Sequence, residues 1–301
     1  MIPEFPASKP LSLSDQPDVE RVTRRFVPYS DFNFVSMYSW DVEEAVRLSS
    51  LNDNLVVHFC DYLTSEPFFM FMGERDVNAT AARLIAHSEC LGLPSELRLI
   101  PACVAARLDQ AAFCVAEIPD HADYVVSVRK LVAYEGQELA LQRNFRRRFL
   151  CKHGNITFAL LDLSDGTVTD AIEALYERWH LARNGCAASV DEHEKRAIIR
   201  CCGAFGANLI ATGLFAGDAL VAFWLGENVG AGYALSHFEK AETTEFIGIV
   251  PYLRQRTAEI LSAQGIEFIN LEQDLGFPGL RQSKRSYAPV AYLKKYRVTR
   301  R

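Results

Sequence analysis

The sequence predicts an α+β protein built of two mixed sheets flanked by helices. Three observations carry that prediction: the length, the composition, and the order in which short apolar runs alternate with helical periodicity. The chain has 301 residues, and at ~100–200 residues per domain this favours two domains. Apolar residues make up 49% and charged residues 23%, which fills cores and excludes a largely disordered chain. No repeat of fixed period or low-complexity linker divides it, and the pattern puts the domains at 1–145 and 146–301.

The elements follow in order. Residues 31–51 carry aromatic and aliphatic side chains near helical spacing, with Ser30 or Asp31 as N-cap. The apolar runs 55–59 and 68–72 are short enough for strands, 77–91 is helical by period, and 97–102 and 113–118 read as strands. In the second half 156–163 reads as a strand, and 168–183, with Trp179 near its end, and 192–205 read as helices. Three extended stretches follow at 209–215, 219–226 and 231–238; Gly217-Asp218 suits a hairpin because both residues tolerate positive φ. Residues 226–232 space their glycines as GxxxGxG, not as the GxGxxG of a dinucleotide site, and read as a turn. A helix over 246–263 ends at Gly265, a residue suited to the left-handed position after a C-cap. A strand at 267–271, a short helix near 279–286 and a strand at 290–298 complete the chain. This order matches the core of an N-acetyltransferase-like (GNAT) fold. There the fourth strand leads into a helix whose N-terminus, with its unpaired amides, receives an acyl donor.

The net charge is −6, unevenly distributed. Residues 281–301 hold eight basic side chains (Arg281, Lys284, Arg285, Lys294, Lys295, Arg297, Arg300, Arg301) and no acid. Residues 127–152 hold seven (Arg129, Lys130, Arg143, Arg146, Arg147, Arg148, Lys152) against Glu135 and Glu138. Two basic segments in an acidic chain point to a polyanionic partner, the alternative for either segment alone being a solvated face. The eight cysteines (60, 90, 103, 114, 151, 186, 201, 202) show no CxxC and no zinc-ligand spacing, and read as reduced core thiols. No uncharged apolar run approaches the ~20 residues of a membrane span, and MIPEFPASKP lacks the pattern of an export signal. The expectation is a cytoplasmic protein. GxSxG, HExxH and a Cys/His pair are all missing, so neither a covalent nucleophile nor a zinc hydrolase is expected. His58, Trp40, Trp179 and Trp224 read as core residues.

Residues 268–298 are the most informative. A strand ends in Glu272 and Asp274, turns at Gly276 and Pro278-Gly279, and then offers Arg281, Lys284 and Arg285 within about one helical turn. Carboxylates beside cations suit a ligand with an ammonium and a phosphate; the alternative is an ion-pair network bracing the turn. The run from Asn270 to Pro289, NLEQDLGFPGLRQSKRSYAP, resembles the terminal signature of the phosphatidylglycerol lysyltransferase C-terminal (DUF2156) family. His237-Phe-Glu-Lys-Ala241 resembles that family's His-x-Glu-Lys-Ala, Gln142-Arg143-Asn144 its Lys-Arg-Asn, and Ser30-Asp-Phe-Asn-Phe34 with Trp40 its Ser-x-Phe-x-Phe and Trp. Gln142 stands where the family has a basic residue.

The resemblance implies tandem acetyltransferase-like domains and transfer of an aminoacyl group from aminoacyl-tRNA to a lipid or small-molecule hydroxyl or amine. The tRNA ester is the donor and no further cofactor is implied. The transmembrane flippase portion that accompanies the family's lipid-modifying enzymes is not expected here, while peripheral membrane contact is. An activated ester needs orientation, proton removal from the acceptor, and oxyanion stabilisation. Glu239, Glu272 and Asp274 are the catalytic candidates, as general base or ammonium ligand. Arg143, Arg146, Arg147, Arg281, Lys284 and Lys295 are candidates for RNA phosphates. Asn144, His237, Lys240 and Tyr287 complete the expected substrate-binding set. Two rivals stand beside this reading: an acyltransferase that uses acetyl-CoA or another acyl-CoA, and a non-catalytic module that binds RNA or an anionic surface.

Overall fold

The computed structural model describes residues 1–61, 63–182 and 188–301, and these form two units, 1–123 with 293–301 and 124–292. The first unit contains β1 (Lys9–Pro10), α1 (Gln16–Thr23), α2 (Phe34–Trp40), β2 (Arg47–Leu51), β3 (Asn54–Cys60) and β4 (Pro67–Met72). It continues with α3 (Val77–Cys90), β5 (Glu96–Pro101), α4 (Ala102–Ala105) and β6 (Phe113–Glu117). The second begins at β7 (Asp123–Ser127) and runs through α5 (Val128–Ala133), α6 (Ala140–Lys152), β8 (Ile156–Leu160), α7 (Gly166–Ala182), α8 (Ala188–Phe205) and β9 (Ile210–Ala216). There follow β10 (Ala219–Gly230), β11 (Tyr233–Ala241), α9 (Ile249–Ala263), β12 (Phe268–Asn270), α10 (Pro278–Arg285) and β13 (Ala291–Leu293). The chain ends in β14 (Lys295–Arg300), which belongs to the first unit.

Each unit holds one seven-stranded sheet, ordered β1-β2-β3-β4-β5-β14-β6 in the first and β13-β7-β12-β11-β10-β9-β8 in the second. In each, four antiparallel strands meet a fifth in parallel, β4 with β5 and β11 with β12. The strand beside that fifth one is remote in sequence: β14 lies against β5, and β7 against β12. The parallel pairs are short. Only Phe69 and Leu97 pair between β4 and β5, and β11 pairs with β12 over Tyr233, Ala234 and Leu235 before continuing to Ala241 paired with β10 but not with β12. The strands therefore part beyond Leu235, and a site can form between them.

The expected strands and helices recur with shifted ends, and four expectations need correction. Residue 145 is no boundary but lies inside α6, because the basic stretch 128–152 folds into α5 and α6 of the second unit and β14 returns to the first. The helix expected over 31–51 stops at Trp40, since Arg47–Leu51 pairs with β3. The turn expected over 226–232 is mostly strand, because β10 runs to Gly230. The last strand is broken at Lys294 into β13 and β14. Cys186 and the Arg183 end of an expected helix lie outside the described residues.

Trp224 is 2% exposed at the centre of the second unit's core, and its Nε1 donates to Ser236 Oγ at 2.7 Å. Gly226 is required beside it, because a Cβ there would run into the Trp224 ring and the Leu235 carbonyl. Among the described residues no helix is long and apolar enough to cross a membrane.

Candidate active site

The point where β11 leaves β12 is marked by a bulge. Leu225 of β10 faces Phe238 while the next residue, Gly226, faces Ser236, so His237 is the extra residue on β11. A bulge re-aims a side chain and bends its strand. Here it turns the imidazole between two carboxylates: His237 Nε2 lies 3.2 Å from Glu227 Oε1, and Nδ1 lies 3.5 Å from Glu272 Oε1. The His237 side chain is 1% exposed, Glu227 14% and Glu272 17%. Burial by itself would depress the imidazole pKa; the two carboxylates outweigh it and hold it up at about 9. At neutral pH His237 is an imidazolium and cannot serve as a base. Glu272 follows Leu271 at φ +60°, a left-handed conformation uncommon outside glycine, and its amide donates to Asn270 Oδ1 at 2.7 Å.

The other two candidate carboxylates are held by guanidinium forks. Glu239, two residues along β11 from His237, accepts from Arg254 Nε and a terminal nitrogen at 2.8 and 2.9 Å. The same guanidinium sits 4.0 Å over the ring of the buried Tyr287. Asp274 is fully buried and accepts from Arg281 at 2.8 and 2.9 Å, from the Tyr124 hydroxyl at 2.5 Å and from the Gly276 amide at 2.8 Å. Burial would raise its pKa, and these donors outweigh that and bring it down to about 2. Such a carboxylate is too weak a base to take an acceptor's proton.

The cations are also tied inward. Lys284 is buried and donates to the Gln273 carbonyl at 2.5 Å. Lys240 pairs with Glu194 at 2.7 Å and lies 4.5 Å from the centroid of Trp179. Arg143 donates to the carbonyls of Tyr134 and Gly136, and Arg146 to Gln255 Oε1 at 2.5 Å. Lys295 belongs to the first unit, where it is fully buried against Asp31 and Asp123, so it cannot meet RNA phosphates. For Asp274 and Arg281 the bracing ion pair is what forms, and the two do not grip opposite ends of a ligand. Asn144, Arg147 and Arg148 are exposed on α6 and line a surface hollow of about 340 Å³ with Leu141 and Phe145.

Sequence reasoning singles out Glu272, Asp274, Glu239 and His237 but misses Glu227 and Arg254. A charged residue between glycines at the edge of an apolar strand, and an arginine within the apolar period of a helix, are the signals that mark them. Among the described residues no group of three or more His, Cys, Asp and Glu side chains is arranged to hold a metal ion.

Two parted-strand sheets in tandem, the second with carboxylates at its parting, define an α+β protein of the tandem acetyltransferase-like class. The chain belongs to the phosphatidylglycerol lysyltransferase C-terminal family, whose profile matches residues 24–299. A conserved protein of unknown function from Bacteroides thetaiotaomicron is similar over the full length of both chains, at 24% identity and TM-score 0.85. The C-terminal DUF2156 domain of a putative lysylphosphatidylglycerol synthetase from Agrobacterium fabrum superposes with TM-score 0.65 at 13% identity, over 95% of this chain and 91% of that one. The L-PGS of Bacillus licheniformis gives TM-score 0.61 at 13% identity, over 100% and 94%. No curated protein sequence matches significantly.

Proposed function

We propose that this protein transfers an aminoacyl group from aminoacyl-tRNA to a lipid or small-molecule hydroxyl or amine. The observation that carries the reading is the family membership, which spans both units. The acceptor oxygen or nitrogen attacks the ester carbonyl, its proton passes to a carboxylate, and the ester bond to the ribose oxygen breaks as that oxygen takes up the proton. Of the three candidate carboxylates Glu272 is assigned the proton-accepting role, because both oxygens of Glu239 and of Asp274 are held at 2.8–2.9 Å by arginine forks, whereas the Glu272 contact with His237 Nδ1 is longer, at 3.5 Å. Polyanion binding falls to Arg147 and Arg148 on α6 and to Arg285 on α10, all exposed. Gln142 donates to Ser286 at 2.6 Å, which brings α6 and the end of α10 together. A cytoplasmic location goes with a tRNA donor.

The acyl-CoA alternative is weakened at the first turn of α9. Gly248, its N-cap at φ +93°, is so close to the Phe145 carbonyl that a Cβ there would collide, and Pro251 in that turn has no N–H. A pyrophosphate would need both the space and the amides. The test is incubation of purified protein with labelled aminoacyl-tRNA pools and cell extract, with and without RNase, and separately with labelled acetyl-CoA. Label should leave the tRNA only when an acceptor fraction is present, and RNase pretreatment should abolish transfer. Transfer that survives RNase pretreatment, or that needs acetyl-CoA instead, overturns the proposal.

A further inference from the structure

We infer that Glu227 is a positioning residue: through the bulged His237 it fixes the carboxylate of Glu272 at the parting of β11 and β12. The inference rests on Glu272 being the working carboxylate of the site. A neutral imidazole carries one N–H and one lone pair, so a ring between two carboxylates would aim its lone pair at one of them. Doubly protonated, the ring donates to both. Among the described residues Glu227 at 3.2 Å and Glu272 at 3.5 Å face the ring, one from β10 and one from the segment after β12. The bulge gives the ring its direction, and Gly226 lets β10 pass close enough for the next residue, Glu227, to reach Nε2. Glu272 engages one ring nitrogen; Glu227 engages the other, which fixes the ring's orientation and favours its doubly protonated form. The imidazolium's positive charge also offsets carboxylate charge in mostly buried surroundings.

The signature of this arrangement is spectroscopic and needs no substrate. In ¹⁵N-histidine-labelled protein, with the His237 ring assigned from the spectrum of H237Q, both ring nitrogens should remain protonated through neutrality, with a midpoint near 9. In E227Q the ring's proton affinity should fall at least tenfold, about 1.4 kcal/mol, and E227D should restore most of it. An unchanged midpoint in E227Q overturns the inference, as does an E227D value no closer to wild type than that of E227Q. Should E227Q fail to fold, E227D with its shorter reach is decisive by itself: its ring must titrate below wild type while staying above the ordinary histidine value. If no aminoacyl-tRNA serves as donor while the titrations behave as stated, the proposed function fails, while the hold of Glu227 on the His237 ring stands.

Discussion

Replacing Lys295 with methionine should open the first unit, and the size of the effect follows from what surrounds the ammonium. Lys295 is fully buried and in contact with two buried carboxylates, Asp31 and Asp123, the second at 2.6 Å, and it donates to Ser30 Oγ at 3.1 Å. Asp123 also accepts from the Ser30 amide and hydroxyl at 2.8 and 2.7 Å. Burial opposes the charge on Lys295, and the two aspartates outweigh it and hold its pKa above the ordinary value. Methionine matches the stem in length but removes the ammonium that both buried carboxylates contact, a change that costs ~3–5 kcal/mol. Hydrogen exchange with mass spectrometry reads this out unit by unit. Amides of β5, β6 and β14 should exchange roughly 100-fold to a few thousand-fold faster in K295M, while those of β10 and β11 keep their protection. The triple variant K295M/D31N/D123N, which removes all three charges, should recover much of the loss. An acceleration below tenfold in β14, or one equal in both units, would refute the argument.

Three further outcomes are expected. His237 has a folded pKa of about 9 against an ordinary 6.5, so its stabilisation is complete below 6.5 and lost as pH rises through 9, by about 3 kcal/mol; urea unfolding at both ends of that window should show the loss in wild type but not in H237Q, and a difference under about 1 kcal/mol counts against it. Asp274, lowered to about 2, stabilises the fold above its ordinary 3.8 and loses this as pH falls through 2; R281M should therefore move acid unfolding, followed by circular dichroism, to higher pH, and an unmoved midpoint removes Arg281 as the cause. The double variant R147Q/R148Q should weaken tRNA binding and reduce the slope of log K against log salt by about 2; an unchanged slope would put the RNA elsewhere on the surface.

Much of the secondary structure is legible locally because its causes are local. The alternation in 209–238 and the helical period of 77–91 and 249–263 report burial directly. The basic helix α6 carries no such signal, since Gln142 and Phe149 are its only buried side chains. The exchange of β14 and β7 is invisible for another reason: it is specified by long-range pairs, Lys295 with Asp123 and Tyr124 with Asp274, that no spacing reveals. At the site, residue types are readable but partnerships are not. The sequence sets Asp274 beside Arg281 and places Glu239 near His237; that the first pair closes on itself, that Glu239 is taken by Arg254, and that Glu227 reaches across from β10 are decided by strand register and a one-residue bulge.

The central claim is that Glu272 takes the acceptor's proton during aminoacyl transfer. The most direct measurement is the rate at which labelled aminoacyl groups pass from charged tRNA to an extract acceptor, wild type against E272Q, with circular dichroism confirming that both are folded. Wild type should show RNase-sensitive transfer, and E272Q a drop of roughly 100-fold or more, as loss of a general base implies. Equal rates in the two proteins would contradict it.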